Sequence, residues 1–250
     1  HDKIYIYGKH ALSEALTEAP HSIKKVYFAG SMDDAKLRAL VKKHNIPVAP
    51  LTAGKNPEGL GKDAAHQGAI GVVSADTLTM SYQKFIDTLV IGKDTLLILL
   101  GEVQDPHNVG AIIRSAAAFG AAGVLIPEHN QAPVTGAVVK VSAGMAFRVP
   151  LVSIGNVNHT IEDLKKRGFW TYGLAGEGAE TIESESFDTP TLFVVGNESA
   201  GIREKTREAC DKLLSIPMHP KCESLNVAAS TAVALYAWAR QHQNALKANN

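Results

Sequence analysis

Polar and apolar residues alternate in blocks along this chain. Short, almost uninterrupted apolar runs are separated by stretches with helical spacing. In the first third, Ile4–Tyr7 begins the pattern and a helical stretch around Ala11–Leu16 follows Gly8. Ile23–Ala29 reads as a strand, because Val26, Tyr27 and Phe28 favour extended backbone. Ala35–His44 places Leu37, Leu40 and Val41 on one helical face. Glycine and proline punctuate Pro47–Gly61, and Ala69–Val73 is a further strand. These elements make a compact α/β unit ending near Ser74. Asp76–Asp94 reads as a connector with an amphipathic turn around Tyr82–Leu89.

From Thr95 onward the period changes. Leu96–Leu100, Gly123–Ile126, Phe169–Leu174, Leu192–Val195 and Leu213–Ile216 are strand-sized apolar runs. Helical patterns fall between them at Val109–Phe119, Ile161–Lys166 and Arg203–Cys210, with a last one from Leu225 to Gln241. Strand–helix alternation predicts a parallel sheet covered on both faces. Read alone, it predicts an open, unknotted sheet. The last helix is apolar nearly all round (Ala228 through Ala239), which predicts burial in the core or against another subunit.

The strand ends carry the candidate chemistry. Asn108-Val109-Gly110-Ala111-Ile112-Ile113-Arg114, Val195-Gly196-Asn197-Glu198-Ser199-Ala200-Gly201 and Ile216-Pro217-Met218 leading to Ser224-Leu225-Asn226 each follow an apolar run. Ligands of open α/β sheets sit beyond the carboxyl ends of strands, so three such ends predict one composite polar site. Each residue also has an ordinary structural explanation. Asn108, Ser224 and Asn226 suit helix N-caps, and Glu198 suits a helix N-terminus. Arg114 lies among small apolar neighbours and needs either an anion or an exit to solvent. Their occurrence together is what the separate explanations leave out.

Composition narrows the classes. The 250 residues have a formal net charge of +0 and are 45% hydrophobic, enough for one large domain or two smaller ones. Residues 1–75 hold ten Lys and Arg against seven Asp and Glu, whereas residues 95–250 hold thirteen against fifteen. Any basic bias is therefore local. Cys210 and Cys222 lack metal-site or redox spacing, no histidines are paired as ligands, and no metal is expected. There is no phosphate-binding Gly-x-x-x-x-Gly-Lys pattern and no Gly-rich dinucleotide turn after the first long strand. No apolar run reaches membrane-spanning length, and no signal peptide opens the chain, so a cytoplasmic protein is expected.

The three segments, in order, resemble the three motifs of the SpoU/TrmH family of ribose 2′-O-methyltransferases in the SPOUT superfamily. Ile6-Tyr7-Gly8-Lys9-His10-Ala11 and His66-Gln67-Gly68 resemble the small L30e-like, ribosomal-protein-like RNA-binding domain of such enzymes. The resemblance implies a deep trefoil knot and a homodimer. It implies an RNA-binding domain over 1–75, a linker over 76–94 and a methyltransferase domain over 95–250. S-adenosylmethionine is the implied donor, held by Gly196, Ile216 and Leu225, with Arg114, Asn108, Glu198, Ser224 and Asn226 catalytic. The implied substrate is a guanosine ribose of large-subunit ribosomal RNA. Transfer RNA methylation, an antibiotic-resistance methylase and a non-catalytic RNA-binding protein are the alternatives. The loop His219-Pro220-Lys221-Cys222-Glu223 departs from the small, Gly/Ser-rich loop of the family pattern.

Overall fold

All five residues of Leu96–Leu100 are fully buried, and the larger unit is built around them. The computed structural model describes residues 3–52, 56–57, 60, 66–176 and 180–247. Part of the punctuated stretch Pro47–Gly61 lies outside the described residues. The chain separates into two compact units.

The first unit comprises residues 1–79 and 134–148. Its strands β1 (Lys3–Tyr7), β2 (Ile23–Ala29), β3 (Val48–Leu51) and β4 (Ala69–Ser74) form a sheet of order β1-β4-β2-β3. β4 runs antiparallel to both β1 and β2. Helix α1 (Lys9–Glu18) buries Leu12, Ala15 and Leu16, and α2 (Ala35–Lys43) buries Leu37 and Val41. The Asp34 side chain caps α2 by accepting from the Leu37 N–H.

The second unit comprises 80–133 and 149–250. It contains β5 (Met80–Ser81), α3 (Tyr82–Thr88), β6 (Leu96–Leu100), α4 (Pro106–Ala118) and β7 (Gly123–Pro127). Helix α5 (Gly136–Val141) belongs to the first unit, where Gly136 lies so close to the Tyr5 carbonyl that no Cβ would fit, and Arg148 pairs with Glu14 at 2.6 Å. The second unit continues with β8 (Leu151–Ile154), α6 (Val157–Lys166), β9 (Trp170–Leu174), β10 (Glu180–Thr181), β11 (Thr191–Val195), α7 (Glu204–Ala209), β12 (Lys212–Ser215) and α8 (Val227–Gln241). Its sheet has the order β10-β12-β9-β11-β6-β7-β8-β5, and every pairing is parallel. Fully buried runs such as β6 and β11 are what a sheet covered on both faces requires.

Two expectations change. Of the stretch expected as a connector, 76–94, residues 80–94 instead contribute sheet and core to the second unit, and 76–79 belong to the first. β5 pairs with β8, and Phe85 and Ile86 of α3 are buried against Leu97 and Leu125. The sequence spacing marked the amphipathic turn, but only the packed sheet shows what it covers. The expected helix Val109–Phe119 begins three residues earlier, at Pro106, with Asp105 as N-cap. Asn108 is therefore inside the first turn and is not a cap.

Strand order places the site. β6 continues through α4 to its neighbour β7, while β11, on the other side of β6, continues through α7 to β12 beyond β9. The connections leave β6 and β11 in opposite directions. Loops after such a pair diverge and open a crevice at the carboxyl ends of the strands. Among the described residues no helix is long and apolar enough to cross a membrane.

Candidate active site

Two glycines bring the ends of β6 and β11 together. Gly101 donates its N–H to the Val195 carbonyl at 2.6 Å, and a Cβ on Gly101 would collide with that oxygen. A Cβ on Gly196 would run into the backbone of Gly201 and Ile202. After Gly196 the chain turns tightly. Asn197 and Gly201 exchange backbone hydrogen bonds, and the Asn197 Oδ1 accepts from the N–H groups of Ser199 and Ala200. The Asn197 Nδ2 donates to the Glu102 carbonyl at 3.0 Å. Glu102 sits in the left-handed region, with φ 68°, and Arg203 holds its carboxylate at 2.8 Å. Such a conformation persists where surrounding contacts over-determine it, a situation common at functional sites.

Glu198 joins the loops. Its Oε1 accepts from the Asn108 Nδ2 and the Asp105 N–H, both at 3.0 Å, and its Oε2 from the Gln104 N–H at 3.2 Å. Burial pushes the Glu198 carboxyl up, but the hydrogen bonds from Asn108 and from the backbone of Asp105, Glu198 and Gln104 outweigh it and hold the group below its ordinary value. The carboxylate is thus anionic at neutral pH and occupied by donors. Asn226 completes the chain of contacts. Its Nδ2 donates to the Asn108 Oδ1 at 2.9 Å, while its Oδ1 accepts from the Ala228 and Ala229 N–H groups and caps α8. One line of polarised bonds runs from the start of α8 through Asn226 and Asn108 to Glu198.

Beside this line lies a cleft of about 240 Å³. Its walls come from the ends of β9 (Leu174–Gly176), β11 (Val195–Ile202) and β12 (Leu214–Met218), together with Glu223–Leu225. Gly196, Ile216, Leu225, Glu198 and Ser224 all line it. Asn108 and Asn226 are held next to it through Glu198. Arg114 is not brought in. It is exposed on α4, contributes nothing to the cleft wall, and makes no hydrogen bond or ion pair among the described residues. Of the two outcomes open to it, the exit to solvent is the one observed.

Several residues of the cleft carry no mark in the sequence reading. The wall Leu174-Ala175-Gly176 follows a strand, so the strand-end argument that marked the other loops applied to it as well. Asn197 stood inside a recognised segment without a role. Arg207 lines the cleft from a helix crowded with charge, and nothing in its spacing singles it out. Cys210 is not a candidate nucleophile. Burial, reinforced by Asp211, pushes its thiol up to about 12.

The cleft suits a nucleoside. Leu225 and Met218 are 42% and 37% exposed at its edge, offering apolar surface to a flat ring. The backbone N–H and C=O groups of Met218, Ser224 and Leu225 make no hydrogen bond among the described residues. Open backbone donors and acceptors beside apolar surface can read the edge of a base. No cluster of three or more His, Cys, Asp or Glu side chains suited to a metal occurs among the described residues.

Residues 95–236, which contain all of these loops, match the SpoU rRNA Methylase family. The chain belongs to this family. Within it, the chain is 34% identical over 243 residues to the 23S rRNA (guanosine-2′-O-)-methyltransferase RlmB of Pseudomonas putida, covering 95% of this chain and 96% of that protein. It is 36% identical over 241 residues to the RlmB of Haemophilus influenzae, covering 94% and 97%. Among solved structures, the SpoU methyltransferase AviRb from Streptomyces viridochromogenes in complex with AdoMet superimposes with a TM-score of 0.82 at 24% identity, covering 97% of this chain and 91% of that one. The TrmH/SpoU tRNA modifying enzyme of A. aeolicus reaches a TM-score of 0.54 at 27% identity, covering 61% and 77%. The SpoU fold accounts for the parallel α/β sheet of the second unit.

Proposed function

We propose that this protein methylates the ribose 2′-oxygen of a guanosine in 23S ribosomal RNA, with S-adenosylmethionine as donor. The observation that carries the reading is the convergence of all three family segments. The cleft lies directly beside the Glu198–Asn108–Asn226 line. The RlmB relatives, matched over almost their whole length, support ribosomal RNA as the substrate class. The tRNA-modifying relative covers only 61% of this chain.

Gly196, Ile216 and Leu225 hold the donor, chiefly through backbone groups and apolar contact. When bound, the donor would supply an electrophilic methyl on a sulfonium; its transfer to the 2′-oxygen would break the methyl–sulfur bond and leave a neutral thioether, with the hydroxyl proton passing to solvent. Glu198 does not take the proton. Three donors occupy it, and its depressed pKa makes it a weak base. Its work is to fix the Gly101–Asp105 loop and the Asn108 side chain. Asn108 and Asn226 transmit that placement to the start of α8, and Ser224 offers a free hydroxyl at the cleft. Arg114, exposed and unpaired among the described residues, is available to an RNA phosphate and the neighbouring ribose oxygen through its planar donor fork. Holding two reactants in place can supply about 7–11 kcal/mol of the barrier, so positioning accounts for much of the catalysis.

Residues 1–75 act as an L30e-like domain that binds the RNA substrate, supported by their excess of basic residues. A trefoil knot through the Val195–Ile202 and Ser215–Asn226 loops and a homodimer complete the reading. Val233 and Tyr236, 40% and 57% exposed on the otherwise apolar α8, support a subunit contact there. The protein works in the cytoplasm, where its substrate is assembled. Mapping 2′-O-methyl groups in ribosomal and transfer RNA from cells lacking the protein tests the reading. A single missing methyl on a 23S guanosine is expected, and an unchanged map overturns it.

A further inference from the structure

Arg207 and Glu223 are opposite charges lining one cleft, and neither is engaged. Among the described residues, neither side chain has a hydrogen-bond or ion-pair partner. Glu204 and Glu208 stand on or beside the helix that carries Arg207 without closing an ion pair on it, and Arg203 is already committed to Glu102. Of the other polar side chains of the cleft, all but the Ser224 hydroxyl are occupied. Glu198 accepts three hydrogen bonds, the Asn197 amide holds its own turn and Glu102, and the Ser230 hydroxyl donates to the Val227 carbonyl. Besides the Ser224 hydroxyl, what remains is the half-buried Arg207 guanidinium and the exposed Glu223 carboxylate, both lining the same cleft.

A free cation and a free anion on the same cleft match a ligand that carries one charge of each sign a few atoms apart. An α-amino acid is such a ligand. Resting on the methyl-donor reading above, we infer that Arg207 and Glu223 recognise the amino-acid end of the donor: Arg207 takes the α-carboxylate and Glu223 the α-ammonium. A guanidinium offers two parallel N–H donors to a carboxylate, a geometry a lone ammonium cannot reproduce. The apolar surface of Leu214, Ile216 and Leu225 is left to the nucleoside and thioether portions. Arg207 and Glu223 are positioning residues, and their effect falls on affinity for the donor's head group.

Calorimetric titration of the intact protein separates this inference from the reading beneath it. Two probes share the adenosine and sulfur: S-adenosylhomocysteine, which keeps the amino-acid end, and 5′-methylthioadenosine, which lacks it. The wild-type protein is expected to prefer S-adenosylhomocysteine. Arg207→Ala is expected to weaken S-adenosylhomocysteine by about tenfold to a hundredfold and to leave 5′-methylthioadenosine within about twofold. Arg207→Lys should fall between, and Glu223→Gln should cost about threefold on S-adenosylhomocysteine alone. Unaltered binding of 5′-methylthioadenosine shows that the variant cleft is folded. Equal weakening of both probes in Arg207→Ala, unchanged S-adenosylhomocysteine affinity, or a wild-type protein that prefers neither probe overturns the inference and leaves the donor assignment standing. A wild-type protein that binds neither probe overturns both.

Discussion

Asn108 donates its side-chain N–H to Glu198 at 3.0 Å across 90 residues of sequence, and this contact settles which way both neighbouring amides face. With Nδ2 on Glu198, the Asn108 Oδ1 must look toward Asn226, which donates to it and turns its own oxygen to the α8 amides. No member can flip without placing two like groups together.

Removing the carboxylate should therefore loosen a loop as well as a contact. Glu198→Ala leaves the Gln104 and Asp105 N–H groups and the Asn108 amide without their acceptor. Because Glu198 is itself exposed, the cost should be about 1 kcal/mol, that of an ordinary hydrogen bond rather than the larger value of one to a buried charge. Methyl transfer should fall far more than stability does. Urea denaturation alongside single-turnover methylation checks this, and parallel losses in both would contradict a positioning role.

The pH response has a definite sign. The folded pKa of Glu198 lies below its ordinary value of 4.5. Its bonds therefore stabilise the fold above that pH, and the contribution is lost as pH falls through the folded value. The stability gap between the wild-type protein and Glu198→Gln should be flat from about pH 6 to 8 and shrink below about 4.5. An inflection of that gap near neutrality would contradict it.

Asn226 has two separable jobs. Asn226→Ala removes the cap and the Asn108 contact together and should cost about 1–2 kcal/mol. Asn226→Asp keeps an acceptor for the α8 amides, where a negative charge is welcome, but turns a carboxylate oxygen toward the Asn108 Oδ1. The aspartate variant should remain close to wild type in thermal midpoint and lose methylation. If it retained full activity, the Asn108 contact would carry no functional weight.

Arg114 separates stability from activity more cleanly. It is exposed and unpaired among the described residues, so Arg114→Lys and Arg114→Ala should change stability by no more than about 0.5 kcal/mol. Turnover on RNA should drop in both. A lysine variant with full turnover would show that the planar fork is dispensable.

Gly196→Ala tests the close approach of the strand ends. Its Cβ would meet the backbone of Gly201 and Ile202, which cannot move as a side chain can, and overpacking of this kind costs about 1–3 kcal/mol. Weaker binding of S-adenosylhomocysteine, read by calorimetry, should accompany the loss of stability. Wild-type affinity would show that the turn tolerates the shift.

Much of the second unit was legible because its strands are continuous apolar runs, as Leu96–Leu100 and Thr191–Val195 show. Leu151–Ile154 escaped notice: four residues between Pro150 and Gly155 carry too little period to read. The placement of Gly136–Val141 with the first unit is a tertiary fact, decided by the space at Gly136 and the Arg148–Glu14 pair. The polar site was legible as a set of strand ends, since that rule needs only strand boundaries. Which residues touch was not. Asn108 looked like a cap because Asp105-Pro106-His107 before it reads as a turn, and only the structure shows Asp105 in that place.

The bond from Asn226 to Asn108 spans 118 residues, and it has a consequence for the order of events during synthesis. A nascent chain that has emerged as far as β11 already owns the centre of its sheet, but it has neither the β12 wall nor the start of α8. Its cleft has no floor and its polar line has no anchor. On the proposed reading, catalytic competence therefore waits for the start of α8, and a chain terminated before β12 would hold Asn108 and Glu198 without the rest of the cleft wall.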